Sequence, residues 1–244
     1  MRPKGRHFAA NRLCFWACRV SMGKHDDGGR MATLRVDWKK TGLISVSEES
    51  QGLGFDLRKF DRLHEDVQAS LKKATVARVL KVIRNTWDKD VEDTRNKHWF
   101  GDVRNGIYVI SIGHGFGVSY ARGCSEIMYI GRGNISTRLR SHLHNWIFDM
   151  SRSLRDVPFK FYMEEFGDGR SPDAFKDFEH WLLEEFHKKF GEKPLLNKIA
   201  GREGTIDHAF TGNCSAPLDN RGKTFLWQIR PSEKNPWFKP VADD

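Results

Sequence analysis

Between positions 105 and 200 the spacing of apolar residues switches repeatedly between a strand period and a helix period, and this constrains the fold more than any other feature of the chain. Gly106-Ile107-Tyr108-Val109-Ile110-Ser111-Ile112 and Glu126-Ile127-Met128-Tyr129-Ile130-Gly131 are short runs of β-branched and aromatic residues, which fit a pleated, half-buried surface. Gly113, Gly115, Gly117 and Gly123 lie between them, so the two runs are expected to pair as an antiparallel hairpin with a flexible connection. After Gly131-Arg132-Gly133, Asn134 can cap a helix, because its side-chain oxygen can accept from a free amide of the first turn. Ile135, Leu139, Leu143, Trp146, Ile147 and Met150 then recur at helical spacing. Val157 to Phe166 reads as a third strand. Ser171-Pro172-Asp173 has the N-cap and early proline of a second helix, with Phe175, Phe178, Trp181, Leu182, Phe186 and Phe190 as its buried stripe and Gly191 and Pro194 as its end. This order predicts an α+β unit, a small three-stranded antiparallel sheet flanked by helices.

The flanks read differently. Leu34, Val36 and Trp38 alternate with polar residues, and Leu43-Ile44-Ser45-Val46 follows Lys39-Lys40-Thr41-Gly42, which predicts an N-terminal β-hairpin. Leu63, Val67, Leu71, Leu80, Ile83 and Trp87 then mark a long helix interleaved with Lys72, Lys73, Arg78, Lys81 and Arg84. Such a face is either solvated or laid against a nucleic-acid backbone. Thr224 to Arg230 predicts one more strand, and 231–244 a loose end. Four divisions follow: residues 1–30, a disordered basic tail or a mis-assigned start; 31–104, the hairpin and helical extension; 105–200, the compact unit; and 201–244, a C-terminal extension.

The formal net charge of +9 favours polyanionic partners, because Lys and Arg near phosphates gain by releasing condensed counterions. Cys14, Cys18, Cys124 and Cys214 are too few and too scattered for a disulfide framework or a structural zinc site, which fits a reducing, cytoplasmic compartment. The apolar run from Leu13 to Val20 falls far short of the roughly 20 residues needed to span a bilayer. The Gly113–Gly117 stretch lacks the following helix and lysine of a phosphate-binding loop.

The compact unit also carries a constellation: Gly106-Ile107-Tyr108, then Tyr129-Ile130-Gly131, then Arg138 and His142, then Glu179 before Trp181-Leu182-Leu183, and finally Pro194-Leu195-Leu196-Asn197. In order and in the elements expected to carry it, this set resembles the GIY-YIG nuclease superfamily. The resemblance implies a metal-dependent endonuclease of restriction, mobile-element or repair type that hydrolyses phosphodiesters in DNA, with RNA not excluded. It further implies Glu179 as the ligand of Mg²⁺ or Mn²⁺, Arg138 as the phosphate clamp, His142 beside it, Tyr108 or Tyr129 as the group that orients or deprotonates water, and Asn197 as a residue that fixes the site. Arg132 stands where relatives carry a cation that helps acidify a tyrosine.

The residue types suit that chemistry. Phosphodiester hydrolysis needs an activated water, neutralisation of the non-bridging oxygens and stabilisation of the departing alkoxide. Mg²⁺ keeps several waters and commonly takes one or two carboxylates, which matches a single Glu. A guanidinium offers fixed, permanently charged donors to phosphate. A phenol of pKa ~10 is a poor base at neutral pH, so nearby cations would have to lower it. Lys72, Lys73, Arg78 and Lys81 are the candidate docking residues outside the unit. Two departures from the family stand out: the interval from Tyr108 to Tyr129 is about twice the usual length, and that from Gly131 to Arg138 is one residue shorter than in many relatives. The alternative is a catalytically silent nucleic-acid-binding protein of the same fold; a third reading is an interaction protein whose basic surface meets acidic partners.

Overall fold

The structure is a computed structural model, which describes residues 32–93, 98–154, 156–166, 173–198, 208–220 and 223–230. The tail 1–30, the Ser171-Pro172 start signal and the end 231–244 lie outside the described residues. In chain order the elements are β1 (Ala32–Val36), β2 (Lys39–Lys40), α1 (Val46–Gln51), α2 (Glu65–Asp93), β3 (Gly106–Ile112), β4 (Phe116–Tyr120), β5 (Gly123–Ser125), β6 (Ile127–Gly133), α3 (Ile135–His142), α4 (Phe148–Ser153), β7 (Phe159–Glu165), α5 (Ala174–Phe190), β8 (His208–Gly212) and β9 (Trp227–Ile229). A 3₁₀ turn, Leu57–Arg62, precedes α2, and a π-helical turn, Leu143–Ile147, joins α3 to α4.

The fold is mixed α+β with several sheets, rather than one small sheet of three strands. The expected antiparallel triplet is present as β7-β3-β6, with Tyr108 opposite Gly131 on one side and Met163 on the other. It is extended by β2, which pairs antiparallel with β7 through Lys39–Met163 and Lys40–Tyr162. The predicted N-terminal hairpin does not form. β1 instead runs parallel to β8, Ala32 opposite His208, and Ile44 makes only an isolated bridge to Phe159. The reason is local: Ser45 caps α1 by accepting from the Glu48 amide, with Glu48 and Glu49 placed favourably in its first turn, so the chain leaves extended conformation where the second strand was expected. The Gly-rich connection is not merely flexible. It folds into β4 and β5, and β9 joins β4 in parallel, Phe116 opposite Trp227, to make a three-stranded sheet. This small sheet absorbs the extra length between Tyr108 and Tyr129.

Helices cover both faces of the central sheet. α3 packs on the face that carries Tyr108 and Ile110, with α2 against α3 and β2, and α5 lies against β6 and β3 from the other side. One continuous core runs from Val36 in β1 through Trp87 on α2 and Phe161 on β7 to Phe210 on β8. Asn134 caps α3 as expected, accepting from the Thr137 amide, and Gly191 ends α5 with a left-handed φ of 78°. The α2 helix starts two residues after Leu63 and runs beyond Trp87. Among the described residues no helix is long and apolar enough to cross a membrane.

Candidate active site

Tyr108 and Tyr129 sit on the same face of the β3–β6 pair because the register places Tyr108 opposite Gly131 and Ile110 opposite Tyr129. Their rings stack with centroids 5.9 Å apart and planes at 25°. Gly131 makes this possible. A Cβ at that position would come within 2.7 Å of the Tyr108 hydroxyl and would also strike the Tyr129 ring, so only glycine lets both phenols lie across β6.

The helix that follows β6 brings the next groups. His142, in the last turn of α3, places Nε2 at 2.9 Å from the Tyr108 hydroxyl, and its ring centre lies 4.4 Å from that of Tyr129. Trp146, one turn later, donates its indole N–H to His142 Nδ1 at 2.9 Å. Arg138 lies one turn before His142 and acts on both phenols: Tyr108 and then Tyr129 hold its guanidinium in the charged form. Burial, with the desolvation it brings, and the Arg138 charge push the His142 pKa down to about 4, so this imidazole is neutral at pH 7.

The Tyr108 phenol moves opposite to the expectation of an acidified tyrosine. Burial, reinforced by Tyr129, raises its pKa, and Arg138 only partly opposes this. Arg132 does not help, because it projects from the opposite face of β6. There its Nε meets Glu179 Oε2 of α5 at 2.7 Å, and its guanidinium lies 5.7 Å from the Phe175 ring centre. Burial raises the Glu179 pKa, while Arg132 first and Arg138 second lower it. The carboxylate and the phenols therefore belong to different faces of one sheet. Arg138, in the first turns of α3 where β6 runs out, is the cation whose charge acts on both.

Asn197 has a structural position. Its side chain accepts from the Ile130 amide at 3.0 Å and donates to the Ile130 carbonyl at 2.7 Å, while the Leu196 amide donates to Met128 O. The segment thus seals the outer edge of β6 between the tyrosine and the glycine of the second motif.

The candidate docking residues divide. Lys72 is held by Asp149 at 2.9 Å and lies over the Phe148 ring, and Arg78 pairs with Glu49 at 3.1 Å. Lys73, Lys81 and Arg84 are exposed along α2. Trp146 is the site residue that the sequence reading missed. The available signal was its position four residues after His142, which places the two side chains together on a helix. No protein-family model, curated protein or solved structure matches the chain.

Proposed function

We propose that this cluster is the active site of a metal-dependent endonuclease that hydrolyses phosphodiester bonds in DNA, and that the chain belongs to the GIY-YIG type by its central β7-β3-β6 triplet and flanking helices. The observation that carries the reading is the position of Arg138 at the end of β6: its charge acts on two stacked phenols beside a neutral imidazole on one face of the sheet, and on the half-buried Glu179 carboxylate on the other. Burying polar and charged groups together costs stability, and such clusters recur where their perturbed ionisation serves chemistry.

Glu179 fits a hard divalent cation that keeps most of its water. It is one oxygen-donor carboxylate whose burial disfavours the bare charge and which Arg132 meets through Oε2. Mg²⁺ or Mn²⁺ bound there would withdraw charge from the scissile phosphate and stabilise the leaving oxygen. Arg132 orients the carboxylate through Oε2. Arg138 supplies fixed donors to a non-bridging phosphate oxygen between the two faces. Tyr129, partly exposed, lines the approach of the attacking water, and the buried Tyr108 phenol behind it becomes a base only when substrate-bound cations offset the cost of its ionisation and substrate opens its contact with water.

The test is cleavage of supercoiled plasmid with Mg²⁺, beside Arg138→Ala and Glu179→Ala. Each substitution is expected to lower the rate by a hundredfold or more, on the order reported for electrostatic transition-state groups, while DNA binding changes by only a share of one contact. Salt-sensitive DNA binding without cleavage would support the catalytically silent reading instead, and wild-type rates in both variants would remove the assignment.

A further inference from the structure

We infer that Trp146 is a positioning residue of this site: its indole N–H fixes the tautomer of His142, so that His142 donates to the Tyr108 hydroxyl and does not accept from it. The catalytic consequence rests on the nuclease reading above, whereas the tautomer itself does not.

Donor and acceptor roles fix the tautomer. An indole nitrogen carries a hydrogen and can only donate. It lies 2.9 Å from His142 Nδ1, so Nδ1 must be the bare, accepting nitrogen. A neutral imidazole has one N–H, which is then on Nε2, and Nε2 lies 2.9 Å from the Tyr108 oxygen. His142 therefore donates there. A doubly protonated ring would set N–H against N–H at Trp146. The Tyr108 oxygen accepts from His142, and its own hydrogen points elsewhere.

Packing holds the indole in this role. Trp146 meets the His142 ring edge-on at 5.9 Å and 70°, and on its other side meets Phe159 of β7 at 5.9 Å and 73°. It stands within the π-helical turn Leu143–Ile147, where the Phe148 amide reaches back five residues to the Leu143 carbonyl. Such wide turns are uncommon and recur at functional sites. This one keeps Leu143 and Ile147 both buried while Trp146 reaches back to His142.

The tautomer decides which group handles the proton. With Nε2–H facing the phenol, a Tyr108 whose ionisation is favoured by substrate-bound cations, its hydrogen passed outward through water, holds a phenolate stabilised by two donors, His142 and Arg138. That phenolate takes a proton from the attacking water; the water oxygen bonds to phosphorus as the bond from phosphorus to the leaving oxygen breaks. With the opposite tautomer, Nε2 would draw the phenol's hydrogen to itself and place a positive charge in a half-buried ring beside Arg138. Trp146 thus withholds the base role from His142 and leaves the His142-bonded Tyr108 phenol to take it.

The experiment is a two-bond ¹H–¹⁵N correlation spectrum of the full chain labelled at histidine, read at about pH 7. The expected result is a protonated Nε2 and an unprotonated Nδ1 for His142, with Trp146→Phe moving both shifts toward the average of two tautomers. A wild-type spectrum with the hydrogen on Nδ1, or on both nitrogens, overturns the inference without reference to any variant. In the cleavage assay Trp146→Phe is expected to lower kcat about tenfold, the size of one hydrogen bond to a charged group, with KM unchanged and the ascending limb of kcat, which reports deprotonation of the base, moved to higher pH. An unchanged kcat and pH profile in a folded Trp146→Phe protein overturns the positioning role. Should the wild-type protein cleave no nucleic acid, the nuclease reading falls and the spectrum alone decides the tautomer.

Discussion

Replacing Asn197 with Ala removes two hydrogen bonds from the main chain of Ile130, on the side of β6 that no strand pairs. Ile130 is fully buried, and its amide and carbonyl point away from β3 toward the edge that Asn197 covers, at 3.0 Å and 2.7 Å. Each such bond contributes on the order of 1 kcal/mol net, and each buried group left without a partner costs about 1–3 kcal/mol. Partial entry of water at the edge lowers that figure, so the expected loss for Asn197→Ala is about 2–4 kcal/mol. For a chain of this length that corresponds to a drop of about 4–16 °C in Tm. Asn197→Asp is expected to be at least as damaging at pH 7, because it keeps the acceptor for the Ile130 amide but sets a carboxylate against the carbonyl. Chemical denaturation of the three proteins, with m-values compared, makes the measurement. A loss below about 0.5 kcal/mol for Asn197→Ala would show that water serves the Ile130 peptide as well as Asn197 does, and that the segment after α5 does not fix the second motif.

Three further outcomes follow from the same geometry. Gly131→Ala is expected to separate the stacked phenols, lowering cleavage and the near-UV circular dichroism of the tyrosines while far-UV helicity persists; unchanged signals would mean that the rings do not lie over the glycine. His142, neutral in the folded protein with a pKa of about 4 against an ordinary 6.5, withholds a proton that the unfolded chain binds. Its contribution is therefore complete above about pH 6.5 and is lost as the pH falls toward 4, so His142→Gln should flatten the stability curve within that window. Replacing Lys73 and Lys81 by Gln is expected to reduce the salt dependence of DNA binding by about one unit of slope each, whereas Lys72→Gln should lower stability through its lost contact with Asp149. Binding isotherms at several salt concentrations separate these cases, and an unchanged slope would place the docking surface away from α2.

What the sequence disclosed was local. Asn134 as a cap, Gly191 as a left-handed stop and the stripe from Phe178 to Phe190 depend on residues within a few positions of each other, and all three are present. So is the third strand, as Phe159–Glu165 within the wider span expected. The partner of β1 was not legible, since nothing in Leu34 or Val36 specifies that residues 208–212 will lie beside them in parallel. β4 and β5 were hidden because glycine at 117 and 123 weakens the strand signal that Phe116, Val118 and Tyr120 carry. At the site, helical spacing indicated that Arg138 and His142 share a side, but the choice of ion-pair partners was beyond its reach. Arg132 turned to Glu179 rather than to a tyrosine, and Lys72 and Arg78 turned to Asp149 and Glu49, because opposite charges from distant segments happen to meet them.

The two outer sheets are each completed by a strand that comes much later in the chain: Ala32 waits for His208, and Phe116 waits for Trp227. During synthesis or refolding, the central β3–β6–β7 arrangement can assemble from closer neighbours while β1 and the outer edge of β4 still expose unpaired amides and carbonyls. Parallel pairings of this span carry the largest loop-closure cost and come late. Pulse-labelled hydrogen exchange should accordingly protect Val109 before Leu34 and Val118. Until the last strands arrive, the central sheet is framed by two open edges, and the interval in which a partly made chain can pair with a neighbouring one is set by β8 and β9 rather than by the elements that carry the tyrosines.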